Sequence, residues 1–253
     1  MNAGEMNTIE LKLVAPRVFE GIQFMETALA VPLLESQIDV ANRLYQQLRQ
    51  WKDTDQALEA LHIRFPGFDM DATLLKVVAV NQLYGTQLYT VVPMARHVTE
   101  VMRVADRREE TELVEQIAAF SGPKHLSFAS KFAHFFIHME RFPLYDSFAR
   151  NMVAHHLGAS PARAVGTTSL YKAFVEDVER LKQRAALSCS NKELDRYLWL
   201  AGLYLLWKRY TDEKDDTKKK RLRMNAEVEA LFNDVSLLNA VELAQLYSFH
   251  QDT

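Results

Sequence analysis

Lys131 and Asp146 are the residues of this 253-residue chain whose types and surroundings best suit covalent chemistry. Lys131 stands in Ser127-Phe-Ala-Ser-Lys-Phe-Ala-His-Phe-Phe136, among apolar and aromatic neighbours. Asp146 follows a proline break in Phe142-Pro-Leu-Tyr-Asp-Ser-Phe148. A protonated lysine is a poor nucleophile, and with a reference pKa of about 10.4 only about one in a thousand is neutral near pH 7. Burial among aromatic rings lowers that value and frees the amine. The amine is then able to attack an electrophilic carbon such as the anomeric carbon of a deoxyribose. A nearby carboxylate stabilises the positive charge that grows on the sugar and moves protons in later steps. It also pulls the amine pKa upward, so this chemistry requires desolvation to prevail. The same residues also suit a plainer arrangement, a lysine snorkelling from an amphipathic helix and an N-capping aspartate.

The elements that must position this pair are helical. Gly and Pro number eight and seven and fall between periodic segments. Leu33, Ile38, Ala41, Leu44, Tyr45 and Leu48 predict a helix from Pro32 to Trp51. Pro66-Gly67 breaks the chain, and Asp71 is placed to cap the next helix. Further helices are expected over Thr86–Ala105, with Pro93 near a turn, and over Glu109–Phe120. Ser121-Gly122-Pro123-Lys124 forms a turn, and Ser127 is placed to cap the Lys131 helix. The apolar positions Phe128, Phe132, Phe135, Phe136 and Met139 put Lys131 near the edge of that helix's apolar face. Asp146 opens a helix reaching Leu157. Leu170–Arg184, a strongly apolar helix around Leu194–Leu205, Asn225–Phe232 and Asn239–Tyr247 complete the chain. Residues 1–30 suit either a short strand or a segment draped over the bundle.

Composition bounds the function. Apolar residues make up 48% and charged residues 25%, a balance that gives ample core. The single Cys189 excludes an internal disulfide and a cysteine-based zinc site. No apolar run is long enough to span a bilayer, and Met1-Asn-Ala-Gly-Glu lacks the start of a signal peptide. The expectation is a cytoplasmic protein, nucleoid-associated if bacterial, and a monomer. The net charge of −3 argues against a general nucleic-acid coat but permits a local basic face.

In order and spacing, Ser130-Lys131-Phe132-Ala133 followed by Phe142-Pro143-Leu144-Tyr145-Asp146 resembles the helix–hairpin–helix DNA glycosylase superfamily, in its lysine-bearing branch similar to 8-oxoguanine DNA glycosylases. The resemblance covers about residues 70–160. It implies an all-α, two-lobed fold with a central cleft. Residues 1–70 would form an N-terminal segment packing on the second lobe, 71–160 the core lobe, and 161–253 the helices completing the other lobe. It implies that Lys131 is the nucleophile and Asp146 the catalytic carboxylate, in excision of a damaged or modified base from double-stranded DNA by base flipping. The Schiff base so formed would also permit strand cleavage, and neither metal nor organic cofactor is required. Val80-Asn81-Gln82-Leu83-Tyr84-Gly85-Thr86 resembles the family's polar break, where Asn81 and Gln82 face the DNA. Leu194–Gly202 resembles a helix that helps wall the base pocket. The usual Leu-Pro-Gly-Val-Gly hairpin is replaced by Ser121-Gly122-Pro123-Lys124-His125-Leu126-Ser127. Phosphate contact then falls to side chains, for which Lys124, His125 and Ser127 are the candidates, with Arg150 after the aspartate. Trp199 and Phe135 are the candidates for the base pocket.

Other signals carry less. His134 and His138 have i, i+4 spacing but no metalloprotease glutamate. His155-His156 point to different sides of one helix. Six basic residues between Lys214 and Arg223 suit a DNA backbone or a solvated loop. Arg96, Arg103, Arg107 and Arg108 form a second basic group, partly offset by Asp106, Glu109 and Glu110. Tyr197, Trp199, Tyr204 and Trp207 suit a stacking wall or a core. The alternative from another class is a non-catalytic DNA-binding or protein-interaction module on the same helical scaffold, with Lys131 structural.

Overall fold

The computed structural model describes residues 28–104, 110–121, 125–161, 169–212, 224–234 and 236–246. The described residues form eleven α-helices and no strand, so the fold is all-α. The helices are α1 (Glu35–Gln47), α2 (Arg49–Arg64), α3 (Met70–Leu83), α4 (Val91–Met102), α5 (Glu110–Ala118) and α6 (Leu126–Phe136), followed by α7 (Ser147–Leu157), α8 (Leu170–Arg184), α9 (Asn191–Asp212), α10 (Ala226–Asn233) and α11 (Leu237–Leu246). None of them is long and apolar enough to cross a membrane.

Helix α6 is the middle of the molecule. Ten of its eleven residues are buried, Ser127 being the exception, and it packs against α2, α3 and α5. The helix is buried nearly all round, its polar residues Ser130, Lys131 and His134 included. Lys131 therefore does not snorkel to solvent, and only 5% of it is exposed. The longest helix, α9, packs on α1 and α7. Gly202 permits the second contact, because a Cβ there would lie 3.1–3.3 Å from Met152 and Phe148 on α7.

Several helix ends differ from expectation for local reasons. The predicted Pro32–Trp51 helix is two helices. Leu48 leaves helical geometry at φ −84°, ψ 87°, its side chain turns into the core, and the chain restarts as α2 and runs to Arg64. The cap of α3 is Asp69, not Asp71; its carboxylate accepts the Ala72 N–H at 3.0 Å. Asp71 lies in the first turn, where its charge suits the helix dipole. Helix α4 starts at Val91 rather than Thr86, which puts Pro93 in the first turn, where no N–H is needed. Ser127 does not cap α6, because it lies inside the helix and His125 occupies the cap position. Asp146 does cap α7, accepting the Ala149 N–H at 2.9 Å. Helix α8 has the expected bounds. Residues 1–27, the centre of the turn at 122–124, Arg107 and Arg108, and the basic run 214–223 lie outside the described residues.

Two titratable side chains are buried for structural reasons. Lys76 is wholly buried, with its Nζ on the Gly67 carbonyl at 2.8 Å and 4.2 Å from the centre of the Phe68 ring; burial lowers its pKa to about 8. Cys189, beyond α8, is buried too, and burial pushes its thiol up to about 11.

Gly158 ends α7 at φ +66°, with its N–H on the last turn, and Ala159 N–H reaches the Ala154 carbonyl at 2.9 Å. A Cβ at Gly158 would lie 2.5 Å from the Cβ of Ala30, whose N–H bonds the His156 carbonyl. Gly158→Ala is expected to cost at least the roughly 1–2 kcal/mol of a left-handed non-glycine residue. An unchanged midpoint in urea unfolding would contradict this account of the α7 terminus.

Candidate functional site

A cavity of about 260 Å³ opens where α2, α6, α7 and α9 converge. That is just below the range of about 300–1,000 Å³ usual for ligand sites. Lys131 and Asp146 both line it. The turn spacing of α6 sets Lys131 above Ser127, and its Nζ donates to Ser127 Oγ at 2.9 Å and more weakly to the Ser127 carbonyl at 3.4 Å. The ammonium lies 5.9 Å from the centre of the Tyr84 ring. Burial lowers the Lys131 pKa, while the charges of Asp146 and Asp195 act in the other direction; burial wins. Asp146 reaches the same cavity from an extended backbone at the start of α7.

Two further titratable groups stand behind the amine. His134, one turn below Lys131 on α6, is 3% exposed and donates its Nδ1–H to the Phe142 carbonyl at 2.9 Å. That bond leaves Nε2 as the lone-pair nitrogen, and burial lowers the ring pKa to about 4, so the imidazole is neutral near pH 7. Asp195 on α9 is buried and lies 3.8 Å from His134 Nδ1. Burial raises its pKa well above the carboxylate range, although the Leu144 N–H it accepts and Lys131 oppose this.

The opposite wall is aromatic with one carboxylate. Asp55 on α2 accepts the hydroxyls of Tyr84 at 2.8 Å and Tyr45 at 3.0 Å, with Arg196 Nη2 at 3.5 Å. Burial first, then the Asp55 charge, raises both tyrosine pKa values, so both hydroxyls stay protonated donors. The Arg196 guanidinium lies 4.4 Å from the centre of the Tyr45 ring. Trp51 and Trp199 complete the wall with ring centres 4.8 Å apart. Planar rings beside fixed donors and a carboxylate suit a flat, polar-edged ligand.

Of the residues singled out in the sequence, the fold gathers Lys131, Asp146, Ser127, Phe135 and Trp199 around this cavity. It does not bring Asn81, Gln82, His125 or Arg150 to the lining. The Asn81 amide is engaged within its own loop, donating to the Leu88 carbonyl and accepting from Thr86 Oγ1 and the Leu88 N–H. Gln82 is exposed, and Arg150 lies against the Tyr145 ring at 5.1 Å. Lys124 lies outside the described residues. His138 falls beyond the end of α6 and is exposed, so it shares no helical face with His134. Among the described residues no group of three or more His, Cys, Asp or Glu side chains is placed to hold a metal. Tyr197 is core, and Tyr204 and Trp207 pack with Phe232.

Sequence reasoning missed Asp55, Tyr45, Tyr84, Trp51, Arg196 and Asp195. Asp195 carried a signal, since a carboxylate one turn before Trp199 interrupts the apolar face of α9. Asp55 carried none, because its partners come from α1, the end of α3, and α9.

The Lys131 environment makes a prediction about titration. A lysine whose folded pKa is lowered gives up its proton below about 10.4, so its amine is free at pH values where surface lysines remain charged. Reductive methylation with labelled formaldehyde, followed by an NMR pH titration, is expected to show a Lys131 midpoint below those of the surface lysines. Asp146→Asn is expected to move it lower still, because Asp146 opposes the shift. A midpoint at or above the surface value contradicts the assignment.

A family model described as HI_0787_N, N-terminal domain, matches residues 35–141. That span covers α1 to α6 and includes Lys131 but stops before Asp146. No curated protein and no solved structure matches the chain.

Proposed function

We propose that the chain is a DNA glycosylase, able also to cleave the strand, which excises a damaged or modified base by Schiff-base chemistry at Lys131. The observation that supports it best is the sharing of one cavity by a desolvated lysine amine and a carboxylate. The resemblance of residues 70–160 to the lysine-bearing branch of the helix–hairpin–helix glycosylases points the same way, and with it a two-lobed arrangement.

In this reading a nucleotide leaves the duplex and its base enters the cavity, against Trp51 and Trp199. Ser127 Oγ holds the Lys131 amine in place until the sugar arrives. The amine attacks the anomeric carbon as the glycosidic bond breaks. Asp146 stabilises the positive charge on the sugar and takes up a proton from the new C–N bond. The base leaves with the electrons of the glycosidic bond and receives the proton held on Asp146, while the remaining N–H proton passes to the ring oxygen as the sugar ring opens to the Schiff base. Neutral His134 lines the same cavity, and its Nε2 lone pair is assigned a part in this traffic. Contact with the duplex is assigned to Gln82, Lys124, His125 and Arg150.

Borohydride trapping tests the proposal. The protein and Lys131→Gln would be incubated with duplexes carrying an abasic site, oxidised purines, uracil or modified cytosines. The expected result is a covalent adduct that Lys131→Gln abolishes while duplex affinity is retained. Asp146→Asn is expected to slow adduct formation about 100-fold, the scale of losing one preorganised electrostatic partner. Salt-dependent binding with no adduct on any duplex would favour a non-catalytic DNA-binding module instead.

A further inference from the structure

The segment carrying Asp146 has no regular structure, yet its main chain is held residue by residue. His134 Nδ1 donates to the Phe142 carbonyl at 2.9 Å, and the Tyr171 hydroxyl donates to the Pro143 carbonyl at 3.0 Å. The Leu144 N–H donates to the Asp195 carboxylate at 3.2 Å, and the Tyr145 N–H to Ser130 Oγ at 3.0 Å. All four side chains are buried, none more than 6% exposed. They come from three helices: Ser130 and His134 from α6, Tyr171 from α8, and Asp195 from α9.

Ser130 and His134 flank Lys131 on the same helix, so α6 fixes the amine and, through these bonds, the segment leading to the carboxylate. Buried polar side chains that each satisfy a backbone group cannot let go without leaving that group unpaired in a dry interior. A loop so held has one conformation, as a preorganised site requires.

Tyr171 stands apart from the other three. His134 and Asp195 line the cavity, so each is placed to act on the chemistry directly, and Ser130 is the chain neighbour of Lys131. Tyr171 does not line the cavity and has no exposed surface. Its ring packs edge-on to Tyr145 at 6.3 Å and beside Phe174 at 6.4 Å. Any influence it has on the cavity passes through the Pro143 carbonyl and the packing of Tyr145.

We infer that Tyr171 is a positioning residue: from outside the cavity it anchors Pro143 and thereby fixes where Asp146 stands relative to Lys131. The inference rests on the proposed reaction of that pair, and the role is distinct from substrate contact. Loss of the hydroxyl leaves the ring packing intact, orphans the Pro143 carbonyl, and lets the carboxylate drift while the rest of the cavity keeps its shape.

The test compares Tyr171→Phe with the unaltered protein in single-turnover borohydride trapping, with duplex affinity and thermal midpoint measured on the same samples. Val178→Ala serves as comparator, since Val178 is a buried residue of the same helix. The expected result is adduct formation slowed 10-fold or more, toward the roughly 100-fold cost of a misplacement of about 1 Å, with duplex affinity unchanged. Val178→Ala is expected to lower the midpoint without slowing the chemistry. An unslowed Tyr171→Phe overturns the inference, as does equal slowing by Val178→Ala, which would make the effect general loosening. If Tyr171→Phe does not fold, 4-fluorophenylalanine at position 171 fills the place of the hydroxyl without a donor for the Pro143 carbonyl, and the same outcomes decide. Absence of any adduct from the unaltered protein overturns the proposed reaction itself and the role of Tyr171 with it, a failure distinct from one confined to the variants.

Discussion

Removing the Lys131 ammonium from water is the constraint around which the rest of the site is arranged. A lone charge in an interior costs several kcal/mol or more, and proteins meet that cost by pairing the group or neutralising it. Here both means act at once. Ser127 supplies a hydroxyl one helical turn away, and Asp146 and Asp195 stand within electrostatic reach, yet burial outweighs them and lowers the amine pKa. This requires a helix buried nearly all round, and α2, α3 and α5 close around α6, its Lys131 and His134 included. The second buried lysine offers a contrast. Lys76 is as deeply buried, but it faces a backbone carbonyl and an aromatic ring and does not line this cavity, so its burial organises a turn and no chemistry.

The cavity separates two electrostatic jobs. At one end stand the Lys131 amine, the neutral His134 imidazole and the acidic side chains of Asp146 and Asp195. At the other, Asp55 is fixed by two tyrosine hydroxyls and faces Arg196, so its charge is held by neighbours and not by water. A carboxylate fixed by three donors from three helices moves little, and it also ties α1, α2, α9 and the end of α3 into one wall. The shape of the site and the integrity of the bundle therefore depend on the same bonds.

The sequence was informative where the cause is local. The helical class, the bounds of α8 and the cap role of Asp146 follow from periodicity and capping chemistry. The break at Leu48 was not legible. Its cause is the pull of the core on one leucine, and nothing in the local pattern distinguishes that leucine from those before it. The choice between Asp69 and Asp71 was within two residues, the usual scale of uncertainty at helix ends. The Asp55 wall was hidden because its members are distant in sequence and meet only through tertiary packing, as Asp55 and Arg196 do. Asn81 was expected to face DNA, and its polar groups serve the loop between α3 and α4.

The burial of Cys189 has a chemical corollary. Thiol oxidation proceeds through the thiolate and needs access to solvent. The only cysteine of this chain is denied both, by burial and by a pKa displaced to about 11. No disulfide can form within the chain, and its only thiol is a slow target for peroxide. Through its cysteine, then, the molecule is largely indifferent to the oxidants around it.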